Sequence, residues 1–204
     1  MNYGQLQSHF NDLLNRSDIT QALTERFLQQ GLQRIERTLR TPMQEKMFNV
    51  TITTKTTQMT LPSDFLQIIS LYYDQYELER ISMRRFRELN FNNFTGKPQY
   101  FVRQTANLLL YPQPVTGILS LYYYAELPQL INATDQNALT QAGPDLILYA
   151  AATFAADFYL DDRAELFEMK FQGMLNELQE QSNAQEIQGG TQSIVPAYNY
   201  ADIH

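Results

Sequence analysis

Apolar residues recur at helical spacing near both ends of the chain, whereas the middle alternates between apolar and polar residues. Residues 3–15 and 19–39 predict two amphipathic helices, because their apolar side chains return every three or four positions. The second helix should stop at Thr41–Pro42, since proline cannot continue a helix. A second helical pair is predicted from Pro144 onward, with a break at Asp161–Asp162. Helices therefore flank the middle of the chain on both sides.

The middle of the chain has the two-residue period of strands. The Thr-rich segment FNVTITTKTTQMTLP predicts one or two strands, and a buried strand is predicted to end at Tyr72–Tyr73. Ser82 can cap a short helix in MRRFRELN. Residues 96–128 supply three strand candidates separated by turn sequences, which predicts a meander.

These elements predict an α+β fold. The N- and C-terminal helix pairs, in residues 1–45 and 140–188, are expected to form a four-helix bundle, since each helix has an apolar face to bury. Residues 46–135 form the predicted β-rich insert. Residues 189–204 follow as an extended C-terminal tail, because they are too short to fold by themselves.

The apolar start of the third long helix raises the question of a membrane anchor. A spanning helix needs about 20 apolar residues, whereas this run stops near fifteen and contains Asp157. We therefore predict a core helix and no membrane anchor. The N-terminus lacks a basic region followed by an apolar core, so no secretory signal peptide is expected.

The charge of the chain is unevenly distributed. Residues 1–102 carry 12 Lys and Arg against 10 Asp and Glu, whereas residues 103–204 carry 3 against 12. An acidic second half argues against a general nucleic-acid binder, whose affinity depends on cations that neutralise phosphates. It is compatible with a surface that DNA passes without binding. The absence of cysteine excludes disulfides and thiolate metal sites, which fits synthesis in a reducing cytosol.

Carboxylates near the break between the last two helices are candidates for chemistry. Asp157 and Asp161 are four residues apart and share a helical face, with Asp162 and Glu165 nearby. Oxygen ligands at this spacing can hold a hard divalent ion, and a carboxylate-dependent hydrolase is the enzymatic alternative. The competing interpretation is a solvent-facing helix end with Arg163 as its partner.

Other catalytic patterns are missing. The two histidines are His9 and His204, and the sequence contains no phosphate-binding glycine loop, dinucleotide fingerprint or zinc-protease motif. We therefore predict that the protein is not an enzyme and uses neither a cofactor nor a metal.

Five segments together resemble a known family. They are LPSDFLQIISLYYD, ERISMRRFRELN, GKPQYFVRQTANLLLYPQP, LSLYYYAELPQL and PDLILYAAATFAADFYLDD, in this order over roughly residues 20–180. This succession resembles the head-to-tail adaptor proteins of tailed bacteriophages, in particular those of short-tailed phages. The order and spacing of the segments carry the resemblance, since each segment alone is unspecific.

The resemblance implies a structural virion protein of the tail or neck, made in the host cytoplasm. Such adaptors form a dodecameric ring beneath the portal protein, extend the DNA channel and offer a platform for the tail nozzle or fibres. The implied partners are the portal protein, a tail nozzle or fibre protein, and further copies of the chain in a homododecamer. DNA would pass the channel without specific binding. The alternative is another head-completion or tail-tube connector component.

The resemblance also implies contact residues. A C-terminal extension that reaches into the portal would here be Gly189–His204, although a frayed tail is the competing interpretation. Its apolar anchors, for the portal or a neighbouring subunit, would be Ile194, Val195, Pro196, Tyr198 and Tyr200. The arginines of the second helix would pair with acidic groups of a neighbouring subunit, although a solvated face is the simpler interpretation. These inter-subunit candidates are Arg34, Arg37 and Arg40.

Overall fold

The computed structural model describes residues 1–89 and 94–188, with side chains as far as residue 182. The chain forms two compact units. The first combines Met1–Ser17 with Arg40–Pro144, and the second combines Asp18–Leu39 with the described part of Asp145–His204. The α+β class is confirmed, since both helices and two sheets are present.

The first unit contains the strands of both sheets and three short helices. Its helices are α1 Tyr3–Leu14, α3 Met83–Leu89 and α4 Ala138–Ala142, with a 3-10 turn at Pro42–Gln44. Its strands are β1 Glu45–Ile52, β2 Gln58–Thr60, β3 Phe65–Tyr73, β4 Tyr76–Glu77, β5 Glu79–Arg80, β6 Tyr100–Gln104, β7 Asn107–Tyr111 and β8 Gly117–Ala125.

The strands pair in two four-stranded sheets. The first has the order β1-β8-β3-β4 and the second β2-β7-β6-β5. All pairings are antiparallel except that of β5 with β6. One buried cluster contains residues of both sheets, among them Leu71 and Leu121 of the first and Leu108 and Leu110 of the second. The two sheets therefore share a single core.

The predicted meander over residues 96–128 is wrong in its last step. β6 and β7 form the expected hairpin, but β8 pairs with β1 and β3 in the other sheet. Pro112 and Pro114 follow β7, and proline has no backbone N–H for a strand ladder. The chain leaves the second sheet there, and β8 buries Leu119 and Leu121 from the opposite side of the core.

Local sequence explains the ends of the first unit's helices. Asn2 caps α1, since its Oδ1 accepts a hydrogen bond from Gln5 N and its own backbone N–H donates one to Gln5 Oε1. Ser82 Oγ accepts from Arg85 N at 3.2 Å, so the predicted cap of the short helix is present.

As far as residue 188, the second unit consists of three long helices. They are α2 Gln21–Thr38, α5 Pro144–Tyr159 and α6 Ala164–Gln188. The predicted bundle requires α1 as a fourth member, and α1 belongs to the first unit, so the bundle of residues 1–45 and 140–188 stays a prediction. In the part of the chain that the structure describes, no helix is both long and apolar enough to cross a membrane.

Candidate interaction surfaces

Arg34 has an extensive set of contacts within the second unit. Its guanidinium donates to both carboxylate oxygens of Glu168, at 2.6 and 2.8 Å, and to Thr153 Oγ1 at 3.1 Å. Its guanidinium carbon also lies 4.2 Å from the centre of the Phe171 ring. Hydrogen bonds from Arg34 hold the pKa of Glu168 below its ordinary value, against the opposing effect of partial burial. Arg34 therefore connects α2 with α5 and α6 of the same chain.

The other two predicted arginines lie in different surroundings. Arg37 is exposed, and its Nε donates to the Gln33 carbonyl oxygen at 3.2 Å. Arg40 belongs to the first unit and donates from Nε to Gln67 Oε1 at 3.3 Å. The three arginines therefore do not share one set of contacts. Their roles between subunits stay predictions.

Asp161 takes part in the turn between α5 and α6. Its carboxylate accepts hydrogen bonds from Arg163 N at 3.0 Å, Nε at 3.0 Å and Nη2 at 2.7 Å. Asp157 is exposed, and its backbone oxygen accepts from Leu160 N. Within residues 1–89 and 94–188 no three metal-binding side chains come together. The geometry thus favours the interpretation of a helix end with Arg163 as partner.

A hydrogen-bond network joins three segments of the first sheet. Asp64, just before β3, accepts from Lys46 Nζ of β1 at 2.7 Å and from the Tyr123 hydroxyl of β8 at 3.0 Å. Lys46 is the main cause of the lowered pKa of Asp64. Burial is the main reason that the pKa of Tyr123 is raised to about 12, and the neighbouring Asp64 is the second. At neutral pH the carboxylate is therefore ionised and the phenol neutral, which suits a structural tie.

The outer face of the first sheet carries exposed apolar side chains beside polar and charged ones, namely Glu45, Lys46, Ser70, Asp74 and Ser120. Met47, Ile69, Tyr72 and Tyr122, which we call the sheet face, line a depression of about 530 Å³. Met47 is 55% exposed, and the Tyr122 ring meets the Tyr72 ring edge to face at 5.8 Å. Methionine and tyrosine are enriched at protein interfaces. The sheet face is therefore a candidate partner surface.

Sequence reasoning missed the sheet face for a specific reason. Alternation along β8 separates Leu119 and Leu121 from Ser120 and Tyr122, but it does not show which side another sheet covers. Two signals were present in the sequence, namely the tyrosine clusters and Met47 directly after the charged Glu45 and Lys46.

The C-terminal anchor candidates lie outside the described residues. They are Ile194, Val195, Pro196, Tyr198 and Tyr200.

Comparison with known families identifies the family of this chain. A family model described as SU10 adaptor protein matches residues 1–194, which include all described residues of both compact units. No curated protein matches the chain.

Proposed function

We propose that this chain, which belongs to the SU10 adaptor protein family of phage head-to-tail adaptors, forms a ring beneath the portal of the virion. Membership in the family indicates a structural component of the virion neck that interacts with portal and tail components. The match over residues 1–194 carries the proposal. The ring would be a homododecamer that extends the DNA channel.

The charge distribution supports a channel that DNA passes without binding. The second unit contains 5 Lys and Arg against 13 Asp and Glu, whereas the first contains 10 against 9. A strongly acidic surface repels the phosphate backbone, and repeating it in twelve copies multiplies the effect. DNA could then move during packaging and ejection without adhering to the ring.

The C-terminal tail, Gly189–His204, would contact the portal. The two adjacent glycines at its start permit a change of chain direction, and apolar residues follow at extended spacing. An extended segment of this composition can dock through its side chains on a partner surface. The proposed anchors remain Ile194, Val195, Pro196, Tyr198 and Tyr200.

The sheet face would be the platform for the tail nozzle or fibre. Its support is the exposure of Met47 and Ile69, at 55% and 43%, beside the paired rings of Tyr72 and Tyr122. A protein gains free energy by covering such a surface, about 25 cal/mol for each Å² of apolar area removed from water. A protein partner with a complementary apolar surface fits this chemistry.

The test is single-particle imaging of the purified chain, alone and mixed with the portal protein of the same phage. We expect a twelve-fold ring on the portal, with the tail ordered against it. A chain that stays monomeric and does not bind the portal would refute the proposal. A ring that binds a tail tube instead of the portal would favour the connector alternative.

Two variants test the tail separately. A chain without Gly189–His204 should fold, as judged by circular dichroism, but should no longer join portal complexes. A chain of full length with serine at the five anchor positions should fail in the same way, which separates side-chain contacts from chain length. Normal assembly of both variants would show that the tail does not bind the portal.

A further inference from the structure

The exposed face of α2 carries a stripe of basic and amide side chains. Arg26, Gln30, Gln33 and Arg37, which we call the basic stripe, recur at intervals of three or four residues and are all exposed. In the described part of the chain, neither arginine forms an ion pair with a carboxylate. Their charges are therefore available to a partner.

The exposed face of α6 carries the opposite charge. Glu165, Met169, Gly173 and Glu177, which we call the acidic stripe, are all exposed and recur every four residues, in a row that winds by about 120° around the helix from end to end. Met169 is 66% exposed, so an apolar side chain lies between the two glutamates. Within the described residues neither glutamate forms an ion pair.

The two stripes also match in length. Arg26 and Arg37 are eleven positions apart and Glu165 and Glu177 are twelve apart, which corresponds to about 17 and 18 Å along a helix with 1.5 Å rise per residue. Arg26 and Arg37 lie on one line along α2, whereas the row from Glu165 to Glu177 is inclined to the axis of α6. If α2 of another copy crosses α6 obliquely along this row, each arginine comes near a glutamate. The charges at the two ends are alike on each stripe, so the match holds for parallel and for antiparallel helices.

Gly173 points to close approach by another backbone. A Cβ atom at this position would meet nothing within 4 Å, so the chain itself does not require glycine there. Glycine in an exposed helix interior lowers helix stability by about 1 kcal/mol relative to alanine. A helix that packs closely against this position gives a physical reason for the glycine.

We infer that the basic stripe of α2 in one copy packs against the acidic stripe of α6 in the next copy, and that this contact closes the ring. The inference rests on the proposed function, since it names the contact between neighbouring subunits. The contact is heterologous, with different surfaces on its two sides, and such contacts generate rings. It revises the predicted set of inter-subunit arginines, because it retains Arg37 and adds Arg26.

Crosslinking tests the contact directly, because the chain contains no cysteine and introduced thiols are therefore unambiguous. The variant Gln30→Cys/Met169→Cys places the two thiols opposite each other if the helices are parallel. The variant Gln33→Cys/Met169→Cys does so if they are antiparallel. Each is assembled on portal protein and treated with a short bismaleimide. One of them should give a ladder of crosslinked species up to the dodecamer, while the single-cysteine variants should stay monomeric.

Charge reversal, introduced into the double-cysteine variant that crosslinks, tests whether opposite charges hold the two stripes together. Arg26→Glu/Arg37→Glu and Glu165→Arg/Glu177→Arg should each reduce the crosslinked yield at least about tenfold, because like charges then face each other. The two pairs combined in one chain should restore it. Lys55→Glu/Arg84→Glu is the matched control for the arginine variant, because it lowers the net charge by the same amount but on the first unit. It should leave the crosslinked yield unchanged.

The outcomes separate this inference from the proposed function. A ring on the portal without a crosslinked ladder overturns the inference and leaves the proposed function standing. Absence of any ring on the portal overturns the proposed function itself. Dimers from a single-cysteine variant would show that like stripes meet, which also overturns the inference.

Gly173→Gln should reduce the ladder more than Gly173→Ala, and equal yields would contradict close packing at this position.

Discussion

Two glycines in long helices have opposite surroundings. At Gly31 of α2 an added Cβ would lie 2.8 Å from the Ala151 nitrogen and 3.1 Å from its Cα, both backbone atoms of α5. At Gly173 of α6 the same atom would meet nothing within 4 Å. Backbone atoms cannot move aside as a flexible side chain can, so only Gly31 is required by the packing of the second unit.

Gly31→Ala should lower the free energy of unfolding by about 1–3 kcal/mol, because the added methyl group forces α2 and α5 apart. Urea denaturation followed by circular dichroism measures this change. Gly173→Ala is the matched control and should raise the free energy of unfolding by up to about 1 kcal/mol. Equal stability of the Gly31→Ala variant and the wild type would contradict the close approach of the two helices.

At the scale of elements, polar contacts supplement the apolar packing of the helices. The Arg34 guanidinium on α2 reaches Thr153 of α5 and Glu168 of α6, so one side chain joins all three helices. The pKa of Glu168 is lower in the folded chain than its ordinary value of 4.5. The pair's contribution to stability is therefore full above the unfolded-state pKa and is lost as the pH falls through the folded-state pKa.

Glu168→Gln should lower stability at pH 7 by up to about 1 kcal/mol, since the side chains of the pair are partly exposed to solvent. The difference from the wild type should shrink as the pH falls below the ordinary glutamate pKa, because the wild-type carboxylate then also becomes neutral. Thermal unfolding between pH 7 and pH 3 measures it. Glu177→Gln, on the same helix but without an ion pair in the described residues, should show no such trend. A difference that is independent of pH would argue against the charged pair.

At the scale of the whole molecule, the acidic excess and the sheet face belong to different units. The acidic excess lies in the helical unit, whereas the sheet face lies in the unit with nearly balanced charge. Protein interfaces are depleted of charged residues at their centre, so a balanced surface suits a protein partner better than an acidic one. This division is consistent with the proposal that the sheet face holds a tail protein while DNA passes the acidic unit.

Met47→Ser/Tyr122→Ser should leave the fold and the ring on the portal intact, because both side chains are at least 40% exposed. The same variant should lose attachment of the tail nozzle or fibre protein, because the apolar contact area is removed. Imaging of portal complexes with and without the tail protein measures both properties. Ile131→Ser replaces a residue that is 73% exposed but not part of the sheet face, and it should bind the tail normally. Unchanged tail binding by the double variant would remove the sheet face from the proposal.

Local sequence signals predicted those features that depend on neighbouring residues. The α+β class is confirmed, as is the resemblance to phage adaptors. The stop of α2 before Thr41–Pro42 and the break at Asp161–Asp162 agree with the structure, since prolines and helix caps act within one turn. The contacts of the candidate site could not be predicted in this way, because Arg34 binds Glu168, which lies 134 positions further along the chain. The role of Arg34 between subunits stays a prediction.

By itself, the sequence determined the type and order of most elements, the acidic balance and the family, because periodicity, caps and motif order are local properties. Tertiary structure decided the strand order, in which β8 joins the sheet of β1 and β3 instead of following β7. It also decided which side of β8 stays exposed, and so created the sheet face from Met47 and Tyr122, which are distant in the chain. Burial depends on what covers a surface, and alternation within a strand does not specify the covering element.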